Sequence, residues 1–242
     1  MTLDNATSLM PRLSDQQREQ ITNDLLLLAS LHQNPIDRET VVGLWQRCYD
    51  GLLQLRHNDV TLRRALNGFC QALTDIPTCF DVATEALFQG DFARLCKAIM
   101  TDSGSTEIDA VRQDRDRNVS WQSVDHWMKR HGKSADRTLK VEPNPLTAEL
   151  RHVAFFVAAD GVAAPPGRIV ELLGCHYHET LERVAIDCET ECQTQTYRSL
   201  AKLTAAYIRS LTDLLDARAA QSVRLPIAHL QRSDHRQEIH HA

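Results

Sequence analysis

The amino-acid sequence predicts an all-α protein: a single globular bundle of about eight to ten helices, in two subregions joined by a mobile loop. Three observations predict it. Apolar residues recur at three- and four-residue steps in one segment after another. No five-residue stretch sustains the alternation a half-buried strand requires, and no internal repeat is visible. Capping residues and prolines punctuate the helical segments.

In chain order, Ser14-Asp15 caps a helix whose apolar side is Ile21, Leu25, Leu28 and Leu31, and Asn34-Pro35 ends it. Asp37 opens a second, carrying Val41, Leu44, Trp45, Cys48, Leu52 and Leu55. After Asn58-Asp59 a third runs through Leu62, Leu66, Phe69, Cys70 and Leu73 to the turn at Pro77. A fourth segment, 80–100, carries Val82, Leu87, Phe88, Phe92, Leu95 and Ile99, with Gly90 as the expected point of a kink or split. The polar stretch 101–118 has little to bury and reads as a linker. A short amphipathic helix follows with Trp121, Val124, Trp127 and Met128, and Gly132 suits its C-terminal cap.

The next helix starts near Pro145, since proline fits the first helical turn, and Leu146, Leu150, Val153, Phe156 and Val157 form its apolar face. Its entry, Glu142-Pro143-Asn144-Pro145, is a rigid corner that presents a carboxylate. Beyond the turn at Ala164-Pro165-Pro166-Gly167 comes a segment with Ile169, Leu172, Leu173, Tyr177, Leu181, Val184 and Ile186. The clearest helix is the last, with Tyr197, Leu200, Leu203, Thr204, Tyr207, Ile208, Leu211, Leu214 and Leu215 on one side. The expected organisation is a flexible N-terminus 1–13, a helical subregion 14–100, a hinge loop 101–119, a second helical subregion 120–217 and a flexible tail 218–242.

At 242 residues the chain is long enough for a substantial core. A net charge of -5 supplies no basic surface, so nucleic acid is not an expected partner. Seven cysteines, at positions 48, 70, 79, 96, 175, 188 and 192, lack the spacing of a secreted disulfide scaffold and fit reduced thiols in a cytoplasm. No stretch approaches the roughly eighteen apolar residues of a membrane span, so stable membrane insertion is not expected. Residues 1–10 lack the basic-then-apolar order of an export signal.

Two constellations contain reactive residue types. Glu149 and His152, three apart on one helix, are spaced as a carboxylate-histidine pair, and Cys175, His176, His178, Cys188 and Cys192 are metal-ligand types. They define an alternative reading as a helical enzyme or metal-binding protein. Neither carries a nucleophile motif, a phosphate-cradling glycine loop or paired zinc knuckles, so no cofactor is expected.

Five stretches stand in a telling order: Asp24-Leu25-Leu26-Leu27-Leu28-Ala29-Ser30-Leu31 with Asn34-Pro35, then Gly90-Asp91-Phe92-Ala93-Arg94-Leu95, Val124-Asp125-His126-Trp127-Met128-Lys129-Arg130-His131-Gly132, Glu142-Pro143, and Thr196-Tyr197-Arg198-Ser199-Leu200-Ala201-Lys202-Leu203-Thr204. Their order and spacing resemble the TorD/DmsD/NarJ family of cytoplasmic molybdoenzyme chaperones, which proofread twin-arginine signal peptides. Glu142-Pro143 is similar to the start of the family's Glu-Pro-x-Asp-His signature, whereas Pro145-Leu146 stands where the Asp-His pair would be. The resemblance implies an all-helical chaperone without catalytic activity, as a monomer or a domain-swapped homodimer. Its partner would be a molybdenum-containing oxidoreductase precursor, bound through its signal peptide or as apo-enzyme. A twin-arginine signal joins two cations to an apolar segment, so Glu142, on the rigid corner that Pro143 makes, is expected to supply charge and Phe92 and Trp127 apolar contact, with Glu149 also among the client-binding residues. With the Asp-His pair absent, a folded or partly folded enzyme subunit is a further client of the same class.

Overall fold

A computed structural model describes residues 13–55, 59–76, 80–102, 145–158, 173 and 178–234. Their secondary structure is helical, in seven helices, with no strand among the described residues. The expected helix around Trp121 and Trp127, the corner at Glu142-Pro143 and nearly all of the hinge loop lie outside them.

Helix α1, Asp15–Gln33, starts on a capping box: Gln17 N–H donates to Ser14 Oγ at 3.2 Å while Ser14 N–H donates to Gln17 Oε1 at 3.2 Å. It ends where Asn34 turns extended before Pro35. Its inner face buries Ile21, Leu25 and Leu28 completely, each worth about 1.5–3 kcal/mol of transfer free energy. Helix α2, Arg38–Asp50, is capped by Asp37, which accepts from Thr40 N–H at 2.8 Å. It closes on Gly51 at φ 104, a value that favours glycine. Leu52 and Leu55 therefore do not continue that helix, as their spacing predicts, but lie buried in the irregular strip beyond it.

Helix α3, Val60–Thr74, is capped by Asp59 through Thr61 N–H at 2.7 Å. Helix α4, Val82–Asp102, has Asp81 before it, accepting from Thr84 N–H at 2.8 Å, and runs unbroken through Gly90. The helix is not split at Gly90: the cost of about 1 kcal/mol is small against the packing of Phe88, Leu95 and Ile99 on the same helix in the core. Helix α5, Pro145–Ala158, starts at the expected proline and buries Leu146, Leu150, Val153 and Val157. Helix α6, His178–Glu191, buries Leu181, Val184 and Cys188, whereas Ile186 is 65% exposed. The helical repeat explains the correction: from Val184 the same face returns at the fourth residue, not the second.

Helix α7, Gln195–Asp234, is the longest, about 60 Å at 1.5 Å per residue. Its backbone stays helical through 218–234, the stretch where a flexible tail is expected. The core face of α7 runs from Tyr197 to Leu215 and packs on α3, α4 and α6. Helix α1 packs chiefly on α5, α2 on α3, and α4 on α6. Phe88 and Phe92 of α4 meet the Tyr197 ring at centroid distances of 5.7 and 6.4 Å. The Tyr197 hydroxyl accepts from Ile36 N–H at 2.9 Å, so one side chain ties α4, α7 and the α1–α2 connection.

Candidate functional site

Two buried carboxylates hold non-helical connections against the helices: Asp24 of α1 and Asp91 of α4. Asp24 lies on the apolar face of α1 between Ile21 and Leu25, 1% exposed. It accepts from Gln54 N–H at 2.7 Å, Leu55 N–H at 2.9 Å and the Tyr207 hydroxyl at 3.3 Å. Burial pushes its carboxyl above the usual carboxylate range, against the pull of these three donors. The Tyr207 hydroxyl, buried beside that carboxylate, is raised well above its ordinary value. Asp24 thus replaces the missing ladder partners of a non-helical strip and draws residues 52–55 against α1.

Asp91 does the same for the turn between α6 and α7. It accepts from Gln193 N–H at 2.9 Å, from Thr194 N–H and Thr194 Oγ1 at 2.6 Å each, and from Arg94 Nη1 at 2.6 Å. Burial acts to raise its pKa, but the Thr194, Gln193 and Arg94 bonds together hold it below the usual carboxylate range. These bonds satisfy donors at the start of α7, and Arg198 Nε closes the corner on the Cys192 carbonyl at 2.8 Å. Both aspartates are structural clasps.

A third polar contact joins α1 to α7. His32 is fully buried, with Nε2 at 2.9 Å from Thr204 Oγ1. Thr204 commits its single hydrogen to the Leu200 carbonyl at 3.0 Å, so it accepts from His32 and the imidazole proton sits on Nε2. Burial pushes the His32 pKa down to about 4, which keeps the ring neutral.

Between α1 and α2 lies an open groove of about 620 Å³. Its apolar surface is Leu27 and Leu31 from α1, Leu44 from α2 and Leu52 from the clasped strip, with Leu26 on its edge, 45% exposed. Ser30, Thr40 and Arg47 supply polar groups, and the Asn23 amide reaches Gln54 Oε1 at 3.2 Å. Gly43 opens the α2 wall: a Cβ there would meet no atom within 4 Å. Glycine inside a helix costs about 1 kcal/mol against alanine, and no packing requirement explains it here. An apolar floor with a hydrogen-bonding rim suits an extended or helical peptide segment.

The residues singled out from sequence are not gathered in this groove. Phe92 is half-buried against the core and Tyr197, and Glu149 is half-buried on α5. Glu142, Pro143 and Trp127 lie outside the described residues, as do the His152 side chain, Cys175, His176 and the His178 side chain. Cys188 and Cys192 are 1% exposed, and among the described residues no group of three or more His, Cys, Asp or Glu is placed to hold a metal ion. No helix among the described residues is long and apolar enough to cross a membrane. The groove residues escaped the sequence reading because their segments look like ordinary amphipathic helix. The one legible signal was Asp24, a carboxylate inside an apolar stripe. Comparison with protein-family models, curated proteins and solved structures finds no match.

Proposed function

We propose that the protein is a cytoplasmic chaperone that catalyses no reaction itself, binds a molybdoenzyme client and assists its maturation before export. In this reading an apolar segment of the client, from its twin-arginine signal peptide or from the apo-enzyme, lies in the α1–α2 groove. The observation that carries the binding role is the groove itself: leucines from two helices and a clasped strip form its floor, and Leu26 stands exposed on its edge. The client class rests on the order of segments that resembles the molybdoenzyme chaperones. Arg47 is the cationic side chain at the groove, which favours a client segment carrying a carboxylate beside its apolar residues. The arginine pair of a signal peptide would require the carboxylate of Glu142, at the Glu-Pro corner.

The client is identified by affinity capture from anaerobically grown source cells, and binding is then measured by calorimetry with that subunit and with its signal peptide. Leu26→Asp is the informative variant, because a half-exposed side chain contributes little to folding. A charge in the apolar groove should weaken client binding at least tenfold, about 1.4 kcal/mol, with an unchanged circular dichroism spectrum. Wild-type affinity in a folded Leu26→Asp protein would remove the groove from the reading, and capture of no molybdoenzyme subunit would remove the client class.

A further inference from the structure

Helices α2 and α3 pack on each other, and one hydrogen bond sets their register: Trp45 Nε1 donates to the Leu73 carbonyl at 2.7 Å. Cys48 lies three residues after Trp45, and Cys70 three residues before Leu73. In an antiparallel pair these two positions face each other one turn along from the Trp45–Leu73 contact. That register places the two thiols as neighbours across the α2–α3 interface, close enough for each to shift the other's pKa. Both are free and only partly buried, so a small reagent has access to them. The other neighbouring pair, Cys188 and Cys192, is enclosed, with Cys192 Sγ 3.9 Å from the Asp91 carbonyl.

We propose that Cys48 and Cys70 are a redox modification site, forming a reversible intramolecular disulfide between α2 and α3 by exchange with a low-molecular-weight disulfide of the glutathione type. The pair provides its own activation: the hydrogen bond from Cys48 lowers the Cys70 pKa, which makes Cys70 the attacking thiolate, while Cys48 is raised by that bond and by burial. Cys70 sulfur attacks one sulfur of the small disulfide, whose S–S bond breaks and releases one thiolate. Cys48, losing its proton, attacks the Cys70 sulfur of the mixed disulfide, the Cys48–Cys70 bond forms, and the second small thiolate leaves. Two protein thiols lose two protons and two electrons, and the small disulfide takes up both electrons as two thiols. The bond joins α2, which carries Leu44 and Arg47 of the groove wall, covalently to α3. The site does not depend on what occupies the groove.

The test uses the full chain, incubated with oxidised glutathione in excess over reduced glutathione, then alkylated, digested and analysed by mass spectrometry. The expected result is a linked Cys48–Cys70 peptide lighter by two hydrogens, reversed by dithiothreitol, with alkylation of both cysteines reduced at least about tenfold. In Cys48→Ser the glutathione adduct should persist on Cys70, since the resolving thiol is gone. In wild type, stable glutathione adducts on both cysteines, linkage of either to a different cysteine, or continued alkylation of both would each overturn the proposal. The wild-type measurement stands even where a serine variant fails to fold.

Discussion

Replacing His32 by glutamine should remove a defined part of the protein's acid sensitivity. The folded pKa of His32 is about 4 and its ordinary value 6.5. Between these values the unfolded chain binds a proton that the folded protein does not. The stability is therefore present above about pH 6.5 and is lost as pH falls toward 4. The 2.5-unit difference corresponds to about 3.4 kcal/mol when fully expressed, of which about 2 kcal/mol is lost between pH 7 and pH 5. That is a large fraction of a typical folding free energy of about 5–15 kcal/mol. Asp24 works in the opposite direction. Its carboxyl is raised by burial, so its contribution is greatest below 3.8 and diminishes as pH rises through the folded value. A wild-type pH profile therefore sums opposing terms, and only its difference from a variant isolates the histidine. The assay is urea unfolding followed by far-ultraviolet circular dichroism at pH 7 and pH 5, for wild type and His32→Gln. The variant carries a pH-independent cost from the altered contact with Thr204, which cancels in the comparison. Wild type should lose about 2 kcal/mol more than the variant on acidification. Equal losses would refute the assignment of a neutral, solvent-excluded imidazole at the α1–α7 contact.

Asp91→Asn should destabilise the fold by about 3–5 kcal/mol in urea titration, because one amide oxygen cannot accept the bonds that two carboxylate oxygens take from Gln193, Thr194 and Arg94. A loss below about 1 kcal/mol would make the clasp dispensable. Glu142→Gln should leave stability within about 0.5 kcal/mol while weakening client binding by about 1.5–3 kcal/mol in calorimetry. Unchanged affinity in a folded variant would confine the Glu-Pro corner to structure, and lost folding would make Glu142 an internal partner or helix cap.

Local features announced themselves in the sequence because they depend on neighbours a few residues away. Ser14 and Asp37 bond amides three residues ahead of them, so the helix starts are legible without knowing the fold. The apolar faces of α1, α5 and α7 are likewise written at helical spacing, and their burial follows. What depends on partners far along the chain was not legible. Asp24 meets amides thirty and thirty-one residues away and a hydroxyl 183 residues away, and Asp91 caps a corner about a hundred residues later. The apolar stripe around Asp24 turns its carboxylate inward but names none of its partners, and no periodicity announces that Phe92 turns toward Tyr197 or that Leu52 leaves the helix to floor a groove. Cys48 and Cys70 are the sharpest case. Their separation of 22 residues has no meaning until the Trp45–Leu73 hydrogen bond sets the register of two helices, and only that register brings the sulfurs together. Helix formation is a local competition won by caps and spacing; pairing is decided by which faces the packed bundle leaves opposite one another.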